Sequence, residues 1–296
     1  MASAYRPHYG TNLAVAHLRL FPILLALLMG MAGSAMAQPS FSPEATDALP
    51  EGNGRTYLDL IRLVMPGIAV SGSAYSDAHQ PTGIRHLGGW IDGDIGLAPT
   101  GTLGLQAVPL RSGGRQRLVL LVDFGMTEYS VGYAILALFE IEGDARLLDA
   151  ADVAVDRWTS LMDPVRLPVG ADDDLLVTQS THHNSSQSFL SASLILVRND
   201  QFELVDTISL LGDRAYGFER TQELTIEHRA GEPFADIVVS VTETTELTAV
   251  DQDDGTLPEP GSRAITVTYR WDTAAQRYMP DSNALTTLAR ENEERF

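Results

Sequence analysis

Residues 177–189 read VTQSTHHNSSQSF, with adjacent histidines His182 and His183, then Asn184, and hydroxyl side chains on both sides. Imidazoles beside hydroxyls could supply a general base and a nucleophile, and imidazoles with acids could hold zinc or iron. Leu175, Val177, Gln179 and Thr181 alternate with Leu176, Thr178 and Ser180, which reads as a strand running into the pair. Continued, that strand puts His182 and His183 on opposite faces, and they can act jointly only if the chain bends back at Asn184. A metal would need a third ligand from Asp172, Asp173, Asp174 or His228. A Ser/His/Asp arrangement would draw on Ser180, Ser185, Ser186 or Ser188, because triads are defined by geometry and not by order. A polar turn between two strands is the plainer account. His182, His183 and Asn184 are therefore carried forward as ligand-binding candidates, with catalytic residues unassigned.

Other motifs are thinner. Asn184-Ser185-Ser186 fits the N-glycosylation triplet. Asp251-Gln252-Asp253-Asp254-Gly255 makes Asp251 and Asp253 weak calcium candidates, since hard cations want loop oxygens, but the regular phasing and the distal glutamate are missing. Asp92-Gly93-Asp94 and Asp172 to Asp174 are weaker still. Asp123 is a possible site carboxylate, more simply a turn acid at a strand end. His228 alternates with Leu224 and Ile226 and should point with them toward the core. No Gly-x-Ser-x-Gly or His-Glu-x-x-His occurs.

Composition removes whole mechanisms. The chain has no cysteine and no lysine, so all its basic side chains other than histidine are arginine. That excludes disulfides, thiol nucleophiles, thiolate zinc sites, P-loop lysines and Schiff bases. A formal charge of −19, with arginines scattered beside acids, repels nucleic acid. No cofactor is expected; the expected partner is a small ligand or a protein.

The positioning elements follow from periodicity. Residues 20–31 (LFPILLALLMGM) form an apolar run too short to span a bilayer. Arg6 and Arg19 precede it and Ala35-Met36-Ala37 follows, the pattern of a cleavable secretory signal over residues 1–37. The mature protein is then expected to be periplasmic or secreted, with no membrane association after signal removal. Residues 38–54 read as a flexible lead, and residues 55–296 as a single β-rich domain. Leu58, Ile61 and Val64 have helical spacing before Pro66-Gly67.

Beyond Leu103 the period becomes two. Leu118 to Val122 is continuously apolar, as in a strand covered on both faces. Hairpins are predicted for 133–153 around Glu142-Gly143-Asp144, for 191–210 around Asn199-Asp200, for 221–242 around Ala230-Gly231-Glu232, and for 265–279. A last helix over 282–295 has Leu285 and Leu288 inward and Glu291/Arg295 as a solvent pair. The fold class is mainly β: an antiparallel meander of hairpins, propeller-like, with a sandwich or barrel as the alternative and a short helix near each end of the mature chain. Functionally this predicts an exported, non-enzymatic ligand- or partner-binding module. The alternative is a cofactor-free or metal-assisted hydrolase using His182 or His183.

Overall fold

Thr56 opens the first helix, α1 (Tyr57–Val64), with a capping box: its hydroxyl accepts from the Asp59 N–H and its own N–H donates to the Asp59 carboxylate at 2.8 Å. The computed structural model describes residues 40–50, 54–88, 96–127, 131–215, 217–231, 233–248 and 257–295. Helix α1 buries Tyr57, Leu60, Ile61 and Val64, a stripe at i, i+3, i+4 and i+7, while Leu58 sits only half-buried beside it. Residues 40–50, expected within a flexible lead, are packed instead. Phe41 and Ala107 exchange backbone hydrogen bonds, and Ala45 and Leu49 are buried under α1.

The strands follow in chain order: β1 (Ala69–Ser71), β2 (Ala74–Ser76), β3 (Arg85–His86), β4 (Gly101–Thr102), β5 (Gly104–Ser112), β6 (Arg115–Met126), β7 (Gly132–Glu140) and β8 (Arg146–Asp152). Then come β9 (Trp158–Pro168), β10 (Asp174–His183), β11 (Gln187–Arg198), β12 (Gln201–Ala215), β13 (Phe218–Arg229), β14 (Asp236–Leu247), β15 (Gly261–Asp272), β16 (Arg277–Pro280) and the second helix, α2 (Ala284–Arg295). They form a three-stranded sheet β1-β2-β4, a five-stranded sheet β3-β8-β7-β6-β5 and an eight-stranded meander from β9 to β16. Every pairing is antiparallel except the short parallel bridge of β3 to β8. The predicted antiparallel meander, with one helix near each end, is what the chain forms. The strands divide as eight, five and three, not as equal blades, and no barrel closes; the layers stack as in a sandwich.

The local chemistry explains the pairings. Asn199 and Asp200 both take positive φ (54° and 58°), and Arg198 pairs with Gln201, so β11 and β12 are joined by the two-residue turn whose twist matches the strands. The next connection, between Ala215 and Phe218, is equally tight but pairs only three residues on each side. Past that corner β12 and β13 part, and the meander folds into two halves that face each other.

Three apolar layers result. α1 and Tyr75 of β2 cover one face of the five-stranded sheet, including Leu120, Val122, Ile135 and Phe139. The opposite face, with Val119, Leu121, Leu136 and Leu138, packs on Leu176, Ile195 and Val197 of β10 and β11. The other face of β10 and β11, with Leu175, Val177, Leu194 and Leu196, packs on Ile237, Val239, Val267 and Tyr269 of the folded-back half.

Where β12 and β13 separate, α2 closes the seam. Asn292 is buried, donating to the Ser209 carbonyl at 3.1 Å and sharing hydrogen bonds with Gln222. Gln222 in turn accepts from the Leu211 N–H and donates to Glu243. Glu291 and Arg295, expected as a solvent pair, belong to this network. Arg295 reaches the buried Glu243 carboxylate at 2.6 Å, and Arg263 bridges Glu243 and Glu291. Burial pushes the Glu243 carboxyl up, but hydrogen bonds from Arg295, Gln222 and Arg263, with the Arg295 charge, outweigh it and bring it down to about 2. A depressed carboxyl stabilises the fold above its unfolded value near 4.5, and that stability is lost as pH falls toward 2. Glu243→Gln should therefore cost about 2–3 kcal/mol at neutral pH and flatten the acid limb of the stability curve, measured by urea denaturation between about pH 7 and 3. A variant as stable as the parent would show that the seam closes without this charge.

Candidate functional site

β10 and β11 are joined at Asn184 to Ser186, and Asn184 builds the turn. Its carbonyl oxygen accepts from the N–H groups of Ser186 (2.9 Å) and Gln187 (2.7 Å), and its amide donates to the Gln187 side chain (3.1 Å). The backbone therefore returns as an antiparallel partner, with His182 opposite Phe189 and His183 opposite Ser188. The two histidines face opposite sides of the sheet, as the alternation predicts, and they do not converge.

His182 lies on the side toward the five-stranded sheet. Its Nδ1 donates to Oδ2 of Asp156, on the β8–β9 connection, and its ring stacks on Phe189 at 4.2 Å. The nearest same-face serine in sequence, Ser180, is buried and committed: its hydroxyl meets Thr159 at 2.9 Å and accepts from the Val155 N–H. The imidazole is thus oriented by an acid, and among the described residues no serine hydroxyl is hydrogen-bonded to it. A second pair of this kind, His86 with Asp152 (2.9 Å), lies on the five-stranded sheet, where the Asp152 carboxylate also accepts from the Ala134 and Ala154 N–H groups.

His183 lies on the other side and lines an open groove of about 230 Å³ with Asn184, Ser186 and Ser188. The far wall is the β12–β13 corner. There Arg214 pairs with Glu219 (2.5 Å), and Arg220 donates to Thr245 and lies near Asp213. Gly212 lies close beneath Ser188: a Cβ there would sit 2.3 Å from the serine Oγ, which would have to rotate away. With both arginines facing acids, the groove presents a balanced set of donors and acceptors and no net anion or cation hole.

The remaining expectations fall out as follows. Asp172 to Asp174 clamp the β5–β6 turn. Asp174 accepts from the Arg111 N–H at 2.8 Å, Asp173 from the Gly113 N–H, and the Asp172 carbonyl from the Gly114 N–H. His228 is exposed and not in the core, because β13 runs on past Ile226, the last of its residues with an apolar layer beneath it. Asp251 and Asp253, with Asp92 and Asp94, lie outside the described residues. Among the described residues no three acids or histidines gather to hold a metal ion, and no helix is long and apolar enough to cross a membrane.

Sequence reasoning missed Asp156 and the whole 213–220 hairpin. The mirrored Asp213-Arg214 and Glu219-Arg220 about Tyr216-Gly217 were the available signal for the latter. No family model matches the chain, and neither a curated protein nor a solved structure is significantly similar to it.

Asp123 marks the join between the sheets beside this region. It accepts from the Thr159 N–H of β9 and the Gly125 N–H, and burial, only partly offset by those bonds, pushes its carboxyl up to about 6. A raised carboxyl favours the folded state while protonated, so stability drains away as pH rises from about 4 to about 6. Asp123→Asn resembles the protonated carboxyl: it keeps one carbonyl acceptor, for the Gly125 N–H, gives up the longer bond from the Thr159 N–H, and removes the buried charge. It should raise stability by about 1–2 kcal/mol at pH 8 and leave it nearly unchanged near pH 4, read by urea denaturation at the two values.

Proposed function

We propose that the protein is a non-enzymatic binding module, working outside the cytoplasm, that takes a small polar, uncharged ligand in the groove between the β10–β11 turn and the β12–β13 corner. The observation that carries this is the meeting of His183, Asn184 and Ser188 with Arg214 and Arg220 in one open groove whose charges are already matched. Such a surface offers directed hydrogen bonds without a counter-ion to satisfy, on loops held by rigid strands. The leader over residues 1–37 supports an exported setting.

The hydrolase alternative draws its support from the acid-oriented imidazole of His182. It is weakened by the engagement of Ser180 elsewhere and by the separation of the two histidines onto opposite faces.

Thermal melting with millimolar glycerol, glucose, trehalose and neutral amino acids tests the binding reading. At least one probe should raise the melting temperature of the parent, and the shift should vanish in His183→Ala, whose side chain is exposed and carries no structural bond. If no probe shifts the parent, or the shift survives the substitution, the groove is not the site. Ester or peptide hydrolysis abolished by His182→Ala would favour the alternative instead.

A further inference from the structure

At the open corner of the folded meander, β11 and the start of β12 face β15 and β16 across a second cavity, of about 320 Å³. Tyr269, Trp271 and Tyr278 form its wall, and Leu196, Val205 and Met279 give it an apolar floor and lip. A register shift in β12 between Leu204 and Asp206 breaks the ladder with β11, and the Asp206 carboxylate lines the cavity beside the tyrosine. That carboxylate accepts from the Tyr269 hydroxyl at 2.5 Å and from the Thr207 N–H. No arginine or histidine among the described residues is paired with it. Burial first, then Asp206 and Asp281, push the Tyr269 hydroxyl well above its ordinary ionisation range, and Glu203 and Arg277 also line the cavity.

The same corner already seats a cation against its aromatic wall. The Arg198 guanidinium lies 4.9 Å from the Trp271 ring centre and is neutralised by Glu203. Asp206 forms no such ion pair among the described residues: Arg277 lines the same cavity but is not within ion-pair distance of it.

We propose that this corner is a binding site for a small organic cation, an ammonium group on an apolar body. The ammonium would pair with Asp206 against the faces of Tyr269 and Tyr278, and the body would lie on Leu196, Val205 and Met279. The cavity is of the size that small ligands use, and the chain's charge of −19 raises the local concentration of cations. This site is separate from the groove at His183 and does not depend on what that groove binds.

Isothermal titration calorimetry with phenethylammonium and its neutral analogue 2-phenylethanol tests it on the full mature chain. Phenethylammonium should bind at least about tenfold more tightly than the alcohol, and more weakly as salt rises. Asp206→Asn, which keeps an acceptor for Tyr269, should lose that margin. Leu204→Arg, at an exposed rim position that leaves the core untouched, should weaken binding at least about fivefold, while Leu204→Glu should not. Equal binding of the two probes, or a margin unchanged in both Asp206→Asn and Leu204→Arg, would overturn the proposal.

Discussion

The rest of the structure depends on one constraint: β10 and β11 are apolar on both faces. Leu175, Val177, Leu194 and Leu196 look one way, and Leu176, Ile195 and Val197 the other. Each such side chain gains on the order of 2 kcal/mol when taken out of water, so neither face can stay open. The five-stranded sheet covers one face. Among the described residues the other face is covered by the meander itself, which turns back at the short β12–β13 corner. Folding back opens a seam, and α2 with Asn292, Glu243 and Arg295 is the answer to that seam.

The layers leave polar groups at their margins, and acids and arginines join them there. Arg117, buried on β6, forks onto Asp200 at 2.9 and 3.0 Å and reaches Glu140 at 3.1 Å, tying the β11–β12 turn to the five-stranded sheet. Arg85 does the same through Asp149, which also receives the Phe202 N–H. His182 with Asp156 belongs to this class of interlayer joints. Its imidazole is held between the Asp156 carboxylate and the Phe189 ring, so the contacts that fix it come from the joining of layers. The cost of burying the Arg117 charge is contained because it carries several hydrogen bonds.

Much of the fold was legible because it rests on local rules. The continuous apolar run over 118–122, the period of two over 265–271 and the Asn199-Asp200 turn are written in adjacent residues. The 213–220 corner was harder: its signal is a charge mirror and not an apolar alternation. Residues 40–50 read as a lead because their few apolar side chains show no period, although Ala45 and Leu49 suffice to anchor them. At the site, alternation correctly separated His182 from His183. It could not supply Asp156 or Asp206, whose partners lie 26 and 63 positions away and are brought near only by the stacking of sheets. His228 shows the converse limit, since alternation tells which way a side chain points and not whether anything is there to cover it.

The place of α2 in the chain has a consequence for biogenesis. Whether it leaves a ribosome or a translocation pore, the chain emerges N-terminus first, so β10 and β11 appear with one greasy face already matched to finished strands and the other bare. The cover for that second face, and the helix that locks it, arrive after β10 and β11. Until then the nascent protein presents an adhesive half-built sheet, the kind of surface that invites chaperones or self-association. Arrival of α2, more than the growth of any strand, is the step that closes that surface.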